Sequence, residues 1–316
     1  MKKYYFNGSL VTGFSEPKGN SFRDGFFWIK AFPNMEALIH EYEVLDILSS
    51  CPGVIRMADE DCIGKVDVVS EDDSVASFPA IKEFYAGEKD IREYCKKHYY
   101  EDEIVSLFIQ LADILSCVET AGVIHNDVKP SNIIISDEGK PVLIDFNISK
   151  KMNEETADLH KYATGNFQAP EKQNGIVSVS GDIYSFGCVL NACMSQNPDN
   201  EAYSKGLIEV RKKCCMHDPE QRYGSFAEVK EALVLLESKV EPKTIETFPA
   251  VKGKGLGLKE IVTSHLPFLT FLLYGCGVFF ISLALYLIFR GADKPTDYSP
   301  NLKDDITTVV SDCKTR

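Results

Sequence analysis

An acid, a lysine and an asparagine stand at positions 127, 129 and 132 in the stretch HNDVKPSNIIIS, between His125 and an apolar run. A carboxylate can take a proton, an ammonium can offset negative charge, and an amide oxygen is a neutral hard ligand. Taken alone, the stretch reads as a turn, because Asn, Asp, Pro and Ser collect in turns. His125 alone reads as a packed, hydrogen-bonded core histidine. Whether Asp127 does chemistry depends on what the rest of the chain supplies.

Several elements could position these residues. The runs FFWIKAF (26–32) and FPAIKEF (78–84) are aromatic and β-branched and bounded by Gly, Asp, Ser or Pro, which predicts strands. Between them, MEALIHEYEVLDILSS places Leu38, Glu41, Leu45 and Leu48 at helical spacing. A helix among strands predicts a small mixed lobe over residues 1–82. From about residue 90 the pattern turns helical. Ile104, Leu107, Phe108, Leu111, Ile114, Leu115 and Val118 form a stripe of 3.6-residue period ending at Gly122, and GDIYSFGCVLNACMS and SFAEVKEALVLLESKV predict further helices. NIIIS and PVLIDF flank the turn DEGK as a β-hairpin directly after the opening motif. Residues 83–237 thus predict a large helical lobe.

The chain has 316 residues, 44% hydrophobic and 26% charged, which suits a folded chain with ample core. Its net charge of -13 argues against a nucleic-acid partner but leaves room for a nucleotide, which needs only a few local cations and a metal. The ten cysteines contain no CxxC pair, so a zinc site is not expected, and most read as small buried residues in a reducing compartment.

The N-terminus MKKYYFNGSL lacks the apolar core and cleavage site of a signal peptide. Residues 238–264 are rich in Pro, Gly and Lys and read as a juxtamembrane linker; GKGLG within them follows no strand and is not a phosphate loop. Leu266 to Phe289 carries no charge and is closed by Arg290, which predicts a transmembrane helix over 265–290 and a polar tail over 291–316.

Further residues fall in order around the opening motif. Lys30 lies in a strand and Glu41 on the following helix. After HNDVKPSN come DFN (145–147), APE (169–171), Asp182 in GDIYSFG and Arg222 in DPEQRYGS. This ordered set, over about residues 20 to 237, resembles the eukaryotic-like (Hanks-type) serine/threonine protein kinases. The resemblance implies an α+β fold of two lobes, followed here by the single transmembrane helix. It implies ATP and Mg²⁺ as cofactors and a protein substrate. Phosphoryl transfer needs positioning and charge neutralisation more than covalent help. By the resemblance Asp127 orients the attacking hydroxyl and accepts its proton, and Lys129 steadies the transferring group. Lys129 also favours the serine/threonine class over the tyrosine class. Asn132 and Asp145 would hold the metal, while Lys30 grips the phosphates, paired with Glu41. Backbone groups of Glu83 and Tyr85, in KEFYAG, would bind adenine. Glu171 and Arg222 would form a buried ion pair under the activation segment. Asp182 would brace the catalytic loop, and Thr164 would contact the catalytic acid and lysine.

The chain departs from the family at four points. Gly8, Gly13 and Gly19 do not make a GxGxxG before Lys30, and the interval from Lys30 to Glu41 is short. DFG reads DFN, and Asn126 stands where many relatives carry the arginine that receives an activation-segment phosphate. The last change implies activity that depends little on such phosphorylation. Two other functions compete with an active, membrane-anchored kinase. A pseudokinase, a tethered nucleotide-binding or scaffolding module, draws on the poor glycine loop and DFN. A small-molecule phosphotransferase shares the acid–asparagine spacing but lacks the lysine after the acid and the APE-to-arginine brace. Three lysines precede the apolar run (Lys252, Lys254, Lys259) and three basic residues follow it (Arg290, Lys294, Lys303), so charge does not orient it. The cytosolic supply of ATP and Mg²⁺ predicts a cytoplasmic kinase domain, with self-association or a membrane partner carrying any outside signal.

Overall fold

The computed structural model describes residues 3–11, 21–58, 61–152, 166–198 and 203–237. The chain divides into two units, Met1–Pro242 and Lys243–Arg316. The expected linker, membrane segment and tail lie outside the described residues, as do Gly13, Gly19 and Thr164.

The N-terminal part forms a six-stranded antiparallel sheet from β1 (Lys3–Phe6), β2 (Ser9–Leu10), β3 (Ser21–Asp24), β4 (Phe27–Ala31), β5 (Ile63–Val69) and β6 (Val75–Phe84). The strand order is β2-β1-β5-β6-β4-β3. In the register of β4 on β6, Lys30 faces Ile81 and Trp28 faces Glu83. Helix α1 (Met35–Ile47) begins where the Asn34 side chain accepts the Ala37 N–H at 2.9 Å, an N-cap that satisfies one of the helix's open donors. It buries Leu38, Val44 and Leu45, and with them Glu41, a carboxylate that requires a partner.

The helical part contains α2 (Ile91–Tyr94), α3 (Glu101–Thr120), α4 (Val179–Met194), α5 (Lys205–Cys214) and α6 (Phe226–Glu237). The apolar stripe of α3 is buried as its period predicts, and Phe108 meets Phe186 of α4 edge-on at 5.2 Å, with Phe226 of α6 beyond at 5.8 Å. Truncating such a ring in a core costs about 3–5 kcal/mol, so these three fix how the helices sit under the site. Short strands cross the top of this core. One sheet holds β7 (Lys89–Asp90), β9 (Ile133–Ile135) and β10 (Pro141–Leu143) in the order β10-β9-β7, and β8 (Val123–Ile124) pairs with β11 (Lys150–Lys151). The predicted hairpin is β9–β10, with Ile133 opposite Leu143.

The cysteines differ in part from expectation. Cys95, Cys193 and Cys214 are buried free thiols, but Cys51, just after α1, is disulfide-bonded to Cys117 in α3. Their Cα atoms stand 5.8 Å apart although 66 residues separate them in sequence. Packing of the segment after α1 onto α3 creates that proximity, and no spacing signal announces it.

Candidate active site

Lys30 and Glu41 come together because β4 and α1 each present one charged residue to the same buried space. Lys30 Nζ donates to both Glu41 carboxylate oxygens at 2.6 and 2.8 Å, and to Asp145 Oδ1 at 2.7 Å. Burial opposes the charge on Lys30, but the surrounding carboxylates of Glu41, Asp145 and Glu83 outweigh it and hold the ammonium above the ordinary lysine range. Asp145 is held below the usual carboxylate range: burial opposes its charge, and the Lys30 ammonium more than offsets this. The short interval from Lys30 to Glu41 therefore does not prevent the ion pair.

The segment between β8 and β9 carries the opening motif. Its backbone is fixed from α4, where the Ser178 side chain caps the helix and Asp182 in the first turn is buried. The two Asp182 oxygens accept the N–H groups of His125 and Asn126 at 2.8 and 2.9 Å. Burial pushes this carboxyl up to about 7, with the two N–H groups pulling against it. Asn126 adopts φ 65, a left-handed conformation that asparagine tolerates, and its side-chain amide donates to the Ile148 carbonyl at 2.7 Å. His125 is fully buried and pushed towards the neutral form by that burial. Its Nδ1 accepts the Asp127 N–H at 3.2 Å, so Nε2 carries the proton and donates to the Ile144 carbonyl at 3.1 Å. The histidine is a structural strut.

Asp127 Oδ2 accepts from Lys129 Nζ at 2.6 Å and from Asn132 Nδ2 at 3.0 Å. The same Asn132 nitrogen also reaches the Asp127 carbonyl at 3.0 Å. Among the described residues no hydrogen bond reaches Asp127 Oδ1. Asn132 sits in a single 3-10 turn, Pro130–Asn132, and its carbonyl accepts the Ile144 N–H at 3.0 Å, which ties the motif to the strand leading into Asp145. Asp145 has φ 67, the left-handed conformation that aspartate, like asparagine, adopts more readily than most residues. Asn147, which replaces the expected glycine, has no positive φ, so the glycine's conformational freedom is not used here.

Lys30, Asn132 and Asp145 line one cavity of about 420 Å³, in the range of small-molecule sites. A larger cavity of about 690 Å³, near Tyr94 and His98, holds none of these groups. Among the described residues no cluster of three or more His, Cys, Asp or Glu could hold a metal by itself. The cavity instead offers two oxygen donors. Asn132 turns its nitrogen to Asp127, while its oxygen accepts only a long bond from Ser131 Oγ at 3.4 Å and keeps a lone pair for a metal, and Asp145 adds a carboxylate. That set fits Mg²⁺, which keeps few protein ligands and takes the rest from phosphates and water.

The expected adenine contacts differ. Glu83 is laddered on both sides, registered with Trp28 and bridged to Met57, and the Tyr85 N–H donates to the Phe26 carbonyl at 2.8 Å. The strand β6 runs on through Phe84, so these backbone groups are committed to the sheet rather than to a ligand. What Glu83 contributes is its side chain, buried beside Lys30. Beyond it Gly87, at φ 147, hugs the Ile135 carbonyl where a Cβ would clash, so the connection into the helical part requires glycine.

Glu171 and Arg222 form a bidentate pair at 2.6 and 2.9 Å. The guanidinium is fully buried and also donates to the carbonyls of Met216, Ser180 and His217. Glu171→Ala leaves that charge uncompensated and is expected to cost about 3–5 kcal/mol of stability, read as a lower urea midpoint at unchanged slope. An unchanged midpoint would show the brace to be dispensable. Sequence reasoning stopped one residue short here. Lys172, which follows the APE triplet, donates to the Asn126 carbonyl beside Asp127, and no pattern in the sequence signals that contact.

A lysine paired to a helix carboxylate, an acid–lysine–asparagine loop braced from below, and a carboxylate at the hairpin's exit define a phosphotransferase-type cleft. Residues 32–202 match the protein kinase domain family. That is more than half of the chain, and the chain belongs to this family. The match begins just after Lys30 and ends before Arg222, so geometry alone assigns those two. The chain is 35% identical over 107 residues to serine/threonine-protein kinase PknH of Mycobacterium tuberculosis, covering 33% of this chain and 17% of that protein. It is 28% identical over 185 residues to putative serine/threonine-protein kinase R436 of Acanthamoeba polyphaga mimivirus, covering 57% and 64%. Probable serine/threonine-protein kinase CA_C1728 of Clostridium acetobutylicum is 28% identical over 183 residues, covering 48% and 28%. The chain spans less than two thirds of the length of these relatives.

Proposed function

We propose that this chain is an active serine/threonine protein kinase that transfers the γ-phosphoryl group of ATP to protein hydroxyls. The unbroken line of polar contacts through the cleft carries this reading. Lys30 joins Glu41 to Asp145, the N–H of Ile144 just before Asp145 donates to the Asn132 carbonyl, and the Asn132 side chain donates to Asp127. Asp127 Oδ1, left open among the described residues, is the atom suited to take the proton of the attacking hydroxyl. Lys129 holds Oδ2 and offsets charge where the group passes, and Lys30 grips the nucleotide phosphates. Asn132 and Asp145 would hold Mg²⁺, which neutralises charge on the phosphate oxygens.

A pseudokinase reading draws on Asn147 and the glycine-poor N-terminal loop, but Asn147 has ordinary backbone geometry and every charged group the reaction uses is in place. Transfer of labelled γ-phosphate to serine or threonine separates the two, since a pseudokinase binds without transfer.

The apolar run from Leu266 to Phe289 supports anchorage of the kinase domain to a membrane, with that domain on the cytoplasmic side where ATP and Mg²⁺ are supplied. Among the described residues no helix is long and apolar enough to cross a membrane. The Cys51–Cys117 disulfide removes the cysteine argument for a reducing side, so the orientation rests on nucleotide supply alone. Protease added to intact cells is expected to trim only residues after 290. Digestion of residues 1–264 in unbroken cells would refute the orientation.

A further inference from the structure

Two thiols outside the cleft stand close enough to react with each other. Cys188 lies in α4 and Cys215 directly follows α5, and their Sγ atoms are 4.0 Å apart across 27 residues of sequence. Gly187 makes that approach possible. A Cβ there would stand 2.6 Å from both Cys214 Cβ and Cys215 Sγ, so glycine lets the end of α5 close on α4. Cys188 and Cys215 are partly exposed, whereas Cys95, Cys193 and Cys214 are buried. A disulfide holds its sulfurs about 2.05 Å apart, so joining this pair takes a shift of about 2 Å.

We propose that Cys188 and Cys215 are a reversible oxidation site, which a hydroperoxide converts to a disulfide through a sulfenic acid on Cys215. The Cys215 thiolate attacks one oxygen of hydrogen peroxide, the O–O bond breaks, and the other oxygen leaves as hydroxide and takes up the thiol's proton as water. Cys188 then attacks the Cys215 sulfur. The S–S bond forms, and the sulfenic hydroxyl leaves with the Cys188 proton as a second water. One peroxide gains two electrons and the two thiols lose two. Exchange with a dithiol reductant restores both thiols.

The surroundings assign the two roles. The hydrogen bond from Cys188 holds the Cys215 thiol below its ordinary range; burial opposes this, and the Arg211 and Arg222 guanidiniums add to the lowering. Cys188 is pushed up by the same contact and by burial. A thiolate is the attacking form, so Cys215 meets the oxidant and Cys188 resolves it. Close packing over Gly187 favours a peroxide over a bulkier disulfide reagent. The site also borders the Glu171–Arg222 brace. Met216 and His217, next after Cys215, give their carbonyls to Arg222, and the Tyr184 ring of α4 lies 4.9 Å from that guanidinium. Oxidation therefore ties α4 covalently to the segment that cradles Arg222.

Peptide mapping of the full chain after exposure to hydrogen peroxide, with the remaining thiols blocked by N-ethylmaleimide, tests this. A linked Cys188–Cys215 peptide is expected, and dithiothreitol should remove the link. Cys95 and Cys193 also share a side-chain hydrogen bond, but both are buried, so they should link about tenfold or more slowly. Cys188→Ser should stop at the sulfenic acid on Cys215, captured with dimedone, and Cys215→Ser should leave Cys188 a free thiol. A wild type whose Cys188 and Cys215 both stay open to N-ethylmaleimide overturns the proposal, whether or not the variants fold. So does a link from Cys215 to Cys214 in place of Cys188. Equal linking rates for the two pairs overturn it too, because contact alone would then account for the bond.

Discussion

Asp127→Asn is expected to lower phosphoryl transfer by about 10³-fold while leaving nucleotide affinity within about twofold, the range for loss of a positioned general base. The argument is geometric. Asp127 Oδ2 is held by Lys129 and Asn132, and an amide oxygen can take over those two bonds, so the loop keeps its shape. What the amide lacks is a basic oxygen at the Oδ1 position to receive the hydroxyl proton. Asp127 makes no bond to Lys30, the residue that grips the nucleotide phosphates, and its bonds to Lys129 and Asn132 survive in the amide, so binding should survive. Single-turnover transfer and nucleotide titration on the same preparation check both halves. Transfer at the wild-type rate would remove Asp127 from the reaction.

Lys30→Met should abolish productive transfer and also weaken the fold. Glu41 is wholly buried and takes two bonds from Lys30, and Asp145 takes a third. Removing the ammonium strands a buried carboxylate, a loss of about 3–5 kcal/mol in stability. The double change Lys30→Met with Glu41→Leu replaces the pair with apolar volume and should recover most of that stability without recovering transfer. Urea unfolding of the single and double variants, with transfer assayed beside it, separates the two roles. Equal stability of wild type and Lys30→Met would mean that the pair is loosely held.

Some of this was legible in the sequence for physical reasons. The α3 stripe was readable because twenty residues of one amphipathic period leave little ambiguity, and the β9–β10 hairpin because its turn residues sit between two apolar triplets. The charged residues of the cleft were found through their order and spacing. Helix α5 was not found: it is largely polar and buries only Leu207, Val210 and Cys214. The placement of the Glu83 side chain also escaped, because which face a strand residue takes depends on register with β4. A one-residue slip in the assumed end of β6 turns a cleft side chain into a backbone contact. The disulfide depended on two distant segments meeting, which no local pattern encodes.

The most direct test of the central claim is the initial rate at which the purified chain moves labelled γ-phosphate from ATP to a serine- and threonine-containing protein, with Mg²⁺ and with chelator. The account predicts Mg²⁺-dependent label recovered as phosphoserine or phosphothreonine, at a rate about 10³-fold above that of Asp127→Asn. A folded chain that binds Mg·ATP yet transfers no more label than Asp127→Asn would contradict it.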